Sequence, residues 1–400
     1  MSDGALAGIR VIELGEMVSA PYCAKLFADY GAEVIKVEPP TRGDRARSWG
    51  PFPNDTPDLE KSGLYFFLNT NKKSVTCDVR SAAGREVLDQ LLDGADVLIE
   101  NYLPPHLREL GLDYASIAAK HPDLVVISVT PFGQTGPYAE WNGHDLNAFH
   151  LSGASNRYCG RPDEAPLEQG TFAADFYGAT TAATWGLAAV YGRDLVGCGQ
   201  QVDVSCAEAI AATFTGGQNI GGAAQDGRFD KRTGVGMSLG APATILPCKD
   251  GHVWVLALEA AQWDGLARAM GNPDWMSVDI FQNMLSRAEN RDMIYPLIEE
   301  WTSQHTKMEI MDACQAEGCP VTAVFTVQEA AEHQHIKDRG GLVSLEHEAL
   351  GSIRTLGAPF QLPECPGGPA TPAPLLGQHN TEVYGALGLD VGALTADGTI

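Results

Sequence analysis

Asp175 is a lone carboxylate in a stretch of small residues, at the point where an apolar run predicts a long helix over residues 175–191. A carboxylate at a helix start lies near free backbone N–H groups and the positive end of the helix dipole. We therefore expect Asp175 to stay ionised at neutral pH. Such a residue is either an N-cap that stabilises the helix or a nucleophile, and the rest of the chain must decide between these roles.

Basic residues near the ends of predicted strands indicate a place for an anionic ligand. They are Arg42, Arg45, Arg47, Lys72, Lys73, Arg80 and Arg108. Clustered at the edge of a parallel sheet, several of them could cradle the phosphates of a nucleotide. Tyr102 follows Asn101 at a strand end, where its ring is placed to flank a base or a pantetheine arm.

Three other patterns resemble known functional motifs but lack a feature that each motif requires. Glu38 ends a second strand, as in dinucleotide-binding folds, but the turn at 15–21 has one glycine where the fingerprint needs three. The pattern G-x-S-x-G at 236–240 lacks the strand before it and the helix after it that a nucleophile elbow requires. The pair Cys314 and Cys319, followed by two histidines, matches no zinc spacing, so no metal is expected.

The elements that must position these residues alternate between strands and helices. Strand-like runs lie at 9–14, 33–38, 74–79, 97–100 and 124–129, with helical patterns at 21–30, 82–92 and 114–120. This alternation predicts an α/β fold with a large, doubly wound, Rossmann-like parallel sheet. Glycine-containing residues 216–242 are predicted to form a linker and a loop without a packed element, and 243–330 a smaller α+β domain. The proline-rich tail is predicted to lack regular structure.

Composition limits the classes of partner. The 400 residues include 27 Lys and Arg against 51 Asp and Glu, a formal net charge of −24, which disfavours nucleic acid and anionic membranes. No apolar run approaches the roughly 20 residues of a membrane span, and the first residues do not resemble a signal peptide. The nine cysteines form an odd, scattered set, as in proteins with reduced thiols. We expect a cytoplasmic enzyme.

Short blocks along nearly the whole chain together resemble the family III CoA transferases. The group also includes α-methylacyl-CoA racemase. The blocks are 6–14, 31–40, 69–74, 100–102, 133–137, 174–175, 357–360 and 373–377. The resemblance implies that Asp175 is the catalytic nucleophile, that an acyl-CoA and a carboxylic acid are the substrates, and that no cofactor is permanently bound.

The resemblance also implies the roles of further residues. The CoA-binding positions fall on Met17, Val18, Ser19, Arg80, Asn101 and Tyr102, with Arg108 one place before a usually basic position. The glycines of a loop that closes over the site, and that could stabilise oxyanions together with the helix start, fall on Gly234, Gly236 and Gly240.

Two alternatives to a transferase stay open. His144 and Glu259 resemble site residues of the racemase branch, in which His144 and Asp175 would act as two bases on opposite faces of one α-carbon. A non-catalytic partner subunit is the other alternative, and retention of Asp175 speaks against it. The family also implies an interlinked homodimer. In each chain the large domain would be residues 1–215. Residues 331–400 would form a linker back to this domain and a tail that packs on it.

Overall fold

The computed structural model describes residues 4–213, 220–227, 232–234, 236 and 240–400. Contacts within the chain divide it into two compact units. Unit 1 comprises residues 1–155, 168–229 and 335–400, and unit 2 comprises residues 156–167 and 230–334. The domain limits given above stay a prediction.

Unit 1 is built on a six-stranded parallel sheet with the strand order β3-β2-β1-β4-β5-β6. The strands are β1 (Arg10–Leu14), β2 (Glu33–Glu38), β3 (Lys73–Thr76), β4 (Val97–Glu100), β5 (Val125–Thr130) and β6 (Gln201–Ser205). The strand order reverses between β1 and β4, which makes the gap between their carboxyl ends a topological switch point. The predicted Rossmann-like α/β fold is confirmed.

Helices cover both faces of this sheet. The helices of unit 1 that precede the tail are α1 (Ser19–Ala28), α2 (Gly63–Leu68), α3 (Ala82–Leu92), α4 (Pro104–Leu110), α5 (Tyr114–Lys120), α6 (Asp145–Leu151), α7 (Ala154–Tyr158, which continues into unit 2), α8 (Ala173–Val196), α9 (Cys206–Ile210) and α10 (Gly221–Asp226). Helix α8 packs on α1 and β5. A Cβ at Gly186 would lie 2.2 Å from Ile127 Cδ1, so glycine permits this close approach. Helix α10 lies within the predicted linker 216–242 and buries none of its residues.

The tail is more regular than its proline content predicted. It contains a hairpin of β10 (Leu342–His347) and β11 (Gly351–Leu356), after α16 (Gln334–Asp338), and ends with α17 (Asn380–Ala386) and α18 (Val391–Ala396). Tyr384 of α17 is fully buried against the sheet, and its hydroxyl donates to Thr76 O at 2.8 Å. Residues 357–379, where the prolines concentrate, carry no helix or strand.

Unit 2 is an α+β unit around a three-stranded antiparallel sheet in the order β7-β8-β9. Its elements are β7 (Ala243–Cys248), β8 (Gly251–Leu256), α11 (Ala260–Ala269), α12 (Met284–Glu289), α13 (Arg291–Thr302), α14 (Lys307–Ala316), β9 (Val321–Ala323) and α15 (Val327–Glu332). Residues 156–167 group with this unit because Arg232 donates to the carbonyls of Asn156, Arg161 and Glu164 at 2.7–3.1 Å. Within the described residues, no helix is long and apolar enough to cross a bilayer.

Candidate functional site

Asn101 joins the two loops that border the switch point. Its amide nitrogen donates to Glu16 O at 2.8 Å and to Ser19 Oγ at 3.0 Å, and its amide oxygen accepts from the N–H of Glu16 at 3.1 Å. A Cβ at Gly15 would lie 2.4 Å from the Cβ of Ala20, so the turn after β1 accepts only glycine there. The structure therefore brings Ser19 and Asn101, two of the predicted CoA-binding residues, into direct contact.

Buried ion pairs hold the turn after β1 in place. Met17 adopts a left-handed conformation with a φ of 66°, and its N–H donates to Asp44 Oδ1 at 2.8 Å. Asp44 pairs with Lys36 at 2.8 Å, and Lys36 pairs with Glu13 at 2.6 Å, all with side chains at most 1% exposed. Such a network costs desolvation but fixes the geometry of the groups it joins. Val18 is fully buried beside Met17.

Two exposed arginines lie next to this turn. Glu16 accepts from Arg42 at 2.6 and 2.9 Å and from Arg45 at 3.0 Å. Arg80 is also exposed, pairs with Asp78 at 2.8 Å, and is near enough to Arg42 for their charges to act on each other. This part of unit 1 therefore gathers positive charge at the carboxyl ends of the strands, where parallel sheets bind phosphates.

Other basic residues from the sequence analysis are already paired. Arg47 binds Glu38 at 2.7 and 2.9 Å and is fully buried, and Lys72 binds Glu13 at 2.7 Å in the interior. Burial alone would raise the pKa of Glu38, but the hydrogen bonds and charge of Arg47 lower it to about 2. Neither Arg47 nor Lys72 can reach a ligand, which corrects their inclusion in a phosphate cradle.

Arg108 and Tyr102 lie on the other side of the switch point. Arg108, on α4, pairs with Glu140, and both side chains are exposed. The N–H of Tyr102 donates to Glu100 Oε2 at 2.7 Å, which fixes the backbone that follows β4. Their contacts with CoA stay a prediction.

Asp175 is the third residue of α8 and not its N-cap. The helix begins at Ala173, two residues earlier than predicted, after Thr171 and Phe172, which both have positive φ values of 66° and 55°. The N–H of Asp175 donates to Asp145 Oδ1 at 3.0 Å, and the N–H of Ala174 also donates to this carboxylate. Asp145 therefore takes backbone donors that the sequence analysis assigned to Asp175 and to oxyanions.

The expectation that Asp175 stays fully ionised at neutral pH is wrong, because its side chain is buried and lies close to a second carboxylate. Burial and the negative charge of Asp145 raise the pKa of Asp175 to about 7. Near pH 7 the side chain is thus divided between a carboxylate and a carboxylic acid. The two backbone N–H groups instead lower the pKa of Asp145, against the larger effect of burial, which raises it.

Asp145 also brings the segment of His144 to the start of α8. His144 is exposed at the start of α6, and its N–H donates to Asn147 Oδ1 at 3.0 Å. It directly precedes Asp145, whose carboxylate binds the backbone of Asp175. The sequence analysis missed this role of Asp145, because no local pattern shows that residues 30 positions apart meet.

The remaining predicted residues belong to unit 2. Glu259 is exposed at the N-cap of α11, and its N–H donates to Gln262 Oε1 at 3.1 Å. Gly234 and Gly236 have positive φ values of 72° and 95°. A Cβ at Gly240 would lie 2.6 Å from a methyl group of Leu258, so this position is closely packed. Residues 237–239 of the G-x-S-x-G pattern lie outside the described residues.

A separate cavity lies at the ends of β5 and β6. Its volume is about 350 Å³. Residues at and after the ends of both strands line it, together with Leu151, the last residue of α6, and Ser152, which follows the helix. None of the predicted site residues lines this cavity. The chemistry proposed below therefore does not use it.

A Rossmann-like sheet, an anchored switch-point turn with exposed arginines, and a carboxyl group at a helix start define an α/β protein with a candidate site for an anionic ligand. The model of CoA-transferase family III matches residues 6–380, and the chain belongs to this family. It is therefore a CoA-transferase.

Individual proteins agree with this family. The succinyl-CoA–D-citramalate CoA-transferase of Chloroflexus aurantiacus is 33% identical, over 95% of this chain and 93% of its own. The succinate–glutarate CoA-transferase of Agrobacterium fabrum is 29% identical, over 96% of this chain and 95% of its own. The crystal structure of a CAIB/BAIF family protein from Brucella suis superposes with a TM-score of 0.85 at 27% identity, covering 96% of this chain and 100% of that one.

Proposed function

We propose that this enzyme transfers CoA from an acyl-CoA thioester to a carboxylic acid through an aspartyl-CoA thioester on Asp175. The observation that carries the proposal is the carboxyl group of Asp175 itself, placed in the first turn of α8 and joined through its backbone to Asp145. The family supports CoA transfer, and the position of the carboxyl group supports the covalent route.

The reaction needs two exchanges at one carboxyl group. The Asp175 carboxylate attacks the thioester carbonyl, the C–S bond breaks, and a mixed anhydride and a CoA thiolate form. The thiolate then attacks the Asp175 carbonyl, which gives the aspartyl-CoA thioester and releases the donor acid as a carboxylate. The acceptor carboxylate repeats these steps in reverse order. Since a thioester is exchanged for a thioester, no external energy source is required.

CoA is proposed to lie at the switch point of unit 1. The turn formed by Met17, Val18 and Ser19 presents a fixed backbone, and Asn101 fixes the facing loop. Arg80 and Arg42 supply positive charge beside it, in a chain whose net charge is −24. A local basic cluster is what a phosphate ligand needs on an otherwise acidic protein.

Trapping with hydroxylamine tests the nucleophile. An aspartyl-CoA thioester reacts with hydroxylamine to give a hydroxamate at Asp175 and free CoA, which mass spectrometry of the peptide detects. Asp175→Ala should lose at least about a hundredfold in exchange rate, or roughly 3 kcal/mol of barrier. Asp194→Ala, on the exposed end of the same helix, is the matched control and should exchange normally. Hydroxamate at another residue, or exchange by Asp175→Ala above one hundredth of wild type, contradicts the assignment.

A 2-methylacyl-CoA racemase is the second candidate, and the link between Asp145 and the backbone of Asp175 favours it, since it brings the segment of His144 to Asp175. A racemase would exchange the α-proton without a second acid. We expect no deuterium at C2 when a 2-methylacyl-CoA is incubated in D₂O, and a moderate loss of CoA exchange in His144→Ala. Deuteration without hydroxamate formation would establish the racemase instead.

A further inference from the structure

Five aromatic side chains surround the start of α8. Phe172 is the N-cap of α8 in a left-handed conformation, and Phe176 lies in the first turn of the helix, so the two residues flank Asp175 in the chain. The ring of Trp49 lies 5.8 Å from that of Phe172, and the ring of Tyr22 lies 4.8 Å from that of Phe176.

Phe67 completes this aromatic wall, with its ring 6.1 Å from that of Tyr22 and 6.3 Å from that of Phe176. None of the five side chains is fully buried, although aromatic rings of this size normally complete a core. Partly exposed aromatic surface beside a reactive group is typical of a site for an apolar ligand.

Three cations of the described residues lie close to the wall in sequence or in contact, and each is paired with a carboxylate. Arg45, four residues before Trp49, is exposed and binds Glu16 at 3.0 Å. Within the described residues, the one charge found to act on Asp175 is the negative charge of Asp145. Lys25 lies 5.6 Å from the centre of the Phe67 ring, but it is 4% exposed and bound to Asp29 at 2.7 Å. Arg47, two residues before Trp49, is fully buried by its carboxylate partners.

A second carboxylate on the substrate would meet an unfavourable environment at this wall. It would leave water without an unpaired cation to bind and would add a negative charge near Asp145, and burial of an unpaired charge is strongly unfavourable. A methyl group or a ring in the same place would bury apolar surface against the aromatic side chains.

We propose that the acid exchanged at Asp175 is a monocarboxylic acid with an apolar acyl group, and not a dicarboxylic acid. This inference rests on the proposed function and adds the substrate class to it. It sets this chain apart from the relatives named above for succinyl-CoA, succinate and glutarate.

Butyryl-CoA and succinyl-CoA provide the test, because they differ only by a terminal methyl group in place of a carboxylate. The rate of hydroxamate formation at Asp175 reports the first half of the reaction and needs no acceptor acid. We expect the second-order rate constant for butyryl-CoA to exceed that for succinyl-CoA at least a hundredfold. Phenylacetyl-CoA should also trap faster than succinyl-CoA.

A charge placed on the wall should change this preference. Trp49→Arg introduces a cation in contact with Phe172 and should raise the succinyl-to-butyryl ratio at least tenfold. Val327→Arg is the matched control, because Val327 is 89% exposed in unit 2 and outside the wall, and its ratio should stay as in wild type. Phe67→Arg serves as a second wall variant if circular dichroism shows that Trp49→Arg does not fold.

The outcomes separate the two proposals. Equal or faster trapping with succinyl-CoA in the wild-type enzyme overturns the substrate class and leaves the proposed function standing. A cation from outside this wall would then bind the second carboxylate. An unchanged ratio in folded wall variants also overturns it, because the wall then does not contact the acyl group. Hydroxamate with none of the three donors overturns the proposed function and the substrate class with it.

Discussion

Asp175 illustrates how a neighbour that binds the backbone changes the chemistry of a side chain. Its position in the first turn of α8 favours an ionised carboxylate. Burial is the larger cause that raises the pKa of Asp175, and the negative charge of Asp145, which accepts hydrogen bonds from the N–H groups of Ala174 and Asp175, raises it further. A carboxyl group with a pKa of about 7 is a stronger base than an ordinary Asp, and it still ionises near neutral pH.

Trapping at Asp175 should therefore depend on pH near neutrality. Because the carboxylate is the attacking form, kcat/KM for the acyl-CoA should rise with pH and level off above a midpoint near 7. Asp145→Asn keeps an acceptor for the helix N–H groups but removes a negative charge, so the midpoint should move to lower pH. A wild-type midpoint near 4 would contradict the assignment.

Two comparisons test whether the midpoint belongs to Asp175. Asp194→Asn removes a charge from the exposed end of the same helix and should leave the midpoint unchanged. Glu100 titrates in the same range, because burial raises its pKa to about 7. A midpoint that stays fixed in Asp145→Asn would therefore point to a group other than Asp175.

The element that we propose positions CoA is the turn after β1. In dinucleotide-binding folds three glycines let the backbone approach a pyrophosphate. Here one glycine, Gly15, allows the turn to pack on Ala20 and Asn101, and buried ion pairs fix the rest. We therefore expect side chains at the edge of the sheet to bind the phosphates, where Arg42, Arg45 and Arg80 are exposed.

Arg80→Glu should raise KM for acyl-CoA at least tenfold, with a smaller effect on kcat, because it replaces an attraction to phosphate by a repulsion. The wild-type KM should rise with ionic strength, as screening weakens the same attraction. Lys120→Glu, at the end of α5 that precedes the amino end of β5, changes the charge by the same amount and should leave KM unchanged. An unaltered KM in Arg80→Glu would place the nucleotide elsewhere.

At the scale of the whole molecule, the exposed apolar side chains of α8 support self-association. Trp185, Tyr191 and Leu195 are 62%, 79% and 81% exposed on this helix, far more than apolar residues of this size usually are. The interlinked homodimer implied by the family would cover such a surface, and threading would also make the dimer slow to dissociate.

Light scattering should give twice the monomer mass at micromolar concentration. Because threaded chains separate only after a unit unfolds, tagged and untagged dimers mixed at 25 °C should form no hybrids over a day. The same mixture, unfolded in guanidinium and refolded, should form hybrids and serves as the control. Monomers, or rapid formation of hybrids without denaturant, would contradict the interlinked dimer.

The sequence by itself determined the parallel sheet, because buried strands such as β4 and β5 are short, mostly apolar runs separated by helical periods. It also singled out Asp175 and the segment of His144, since their residue types and order match a family. It underestimated α17, whose residues follow a run of prolines that suggested irregular structure.

Only the tertiary structure decided the surroundings of these residues. The contact of Asp145 with the start of α8, the burial of Arg47 and Lys72 in ion pairs, and the aromatic wall from Trp49 to Phe176 all join residues far apart in the chain. Local propensity carries no record of such contacts, and pKa values depend on burial and on neighbouring charges that exist only after folding. For this reason the sequence located the carboxyl group, and the fold set its pKa.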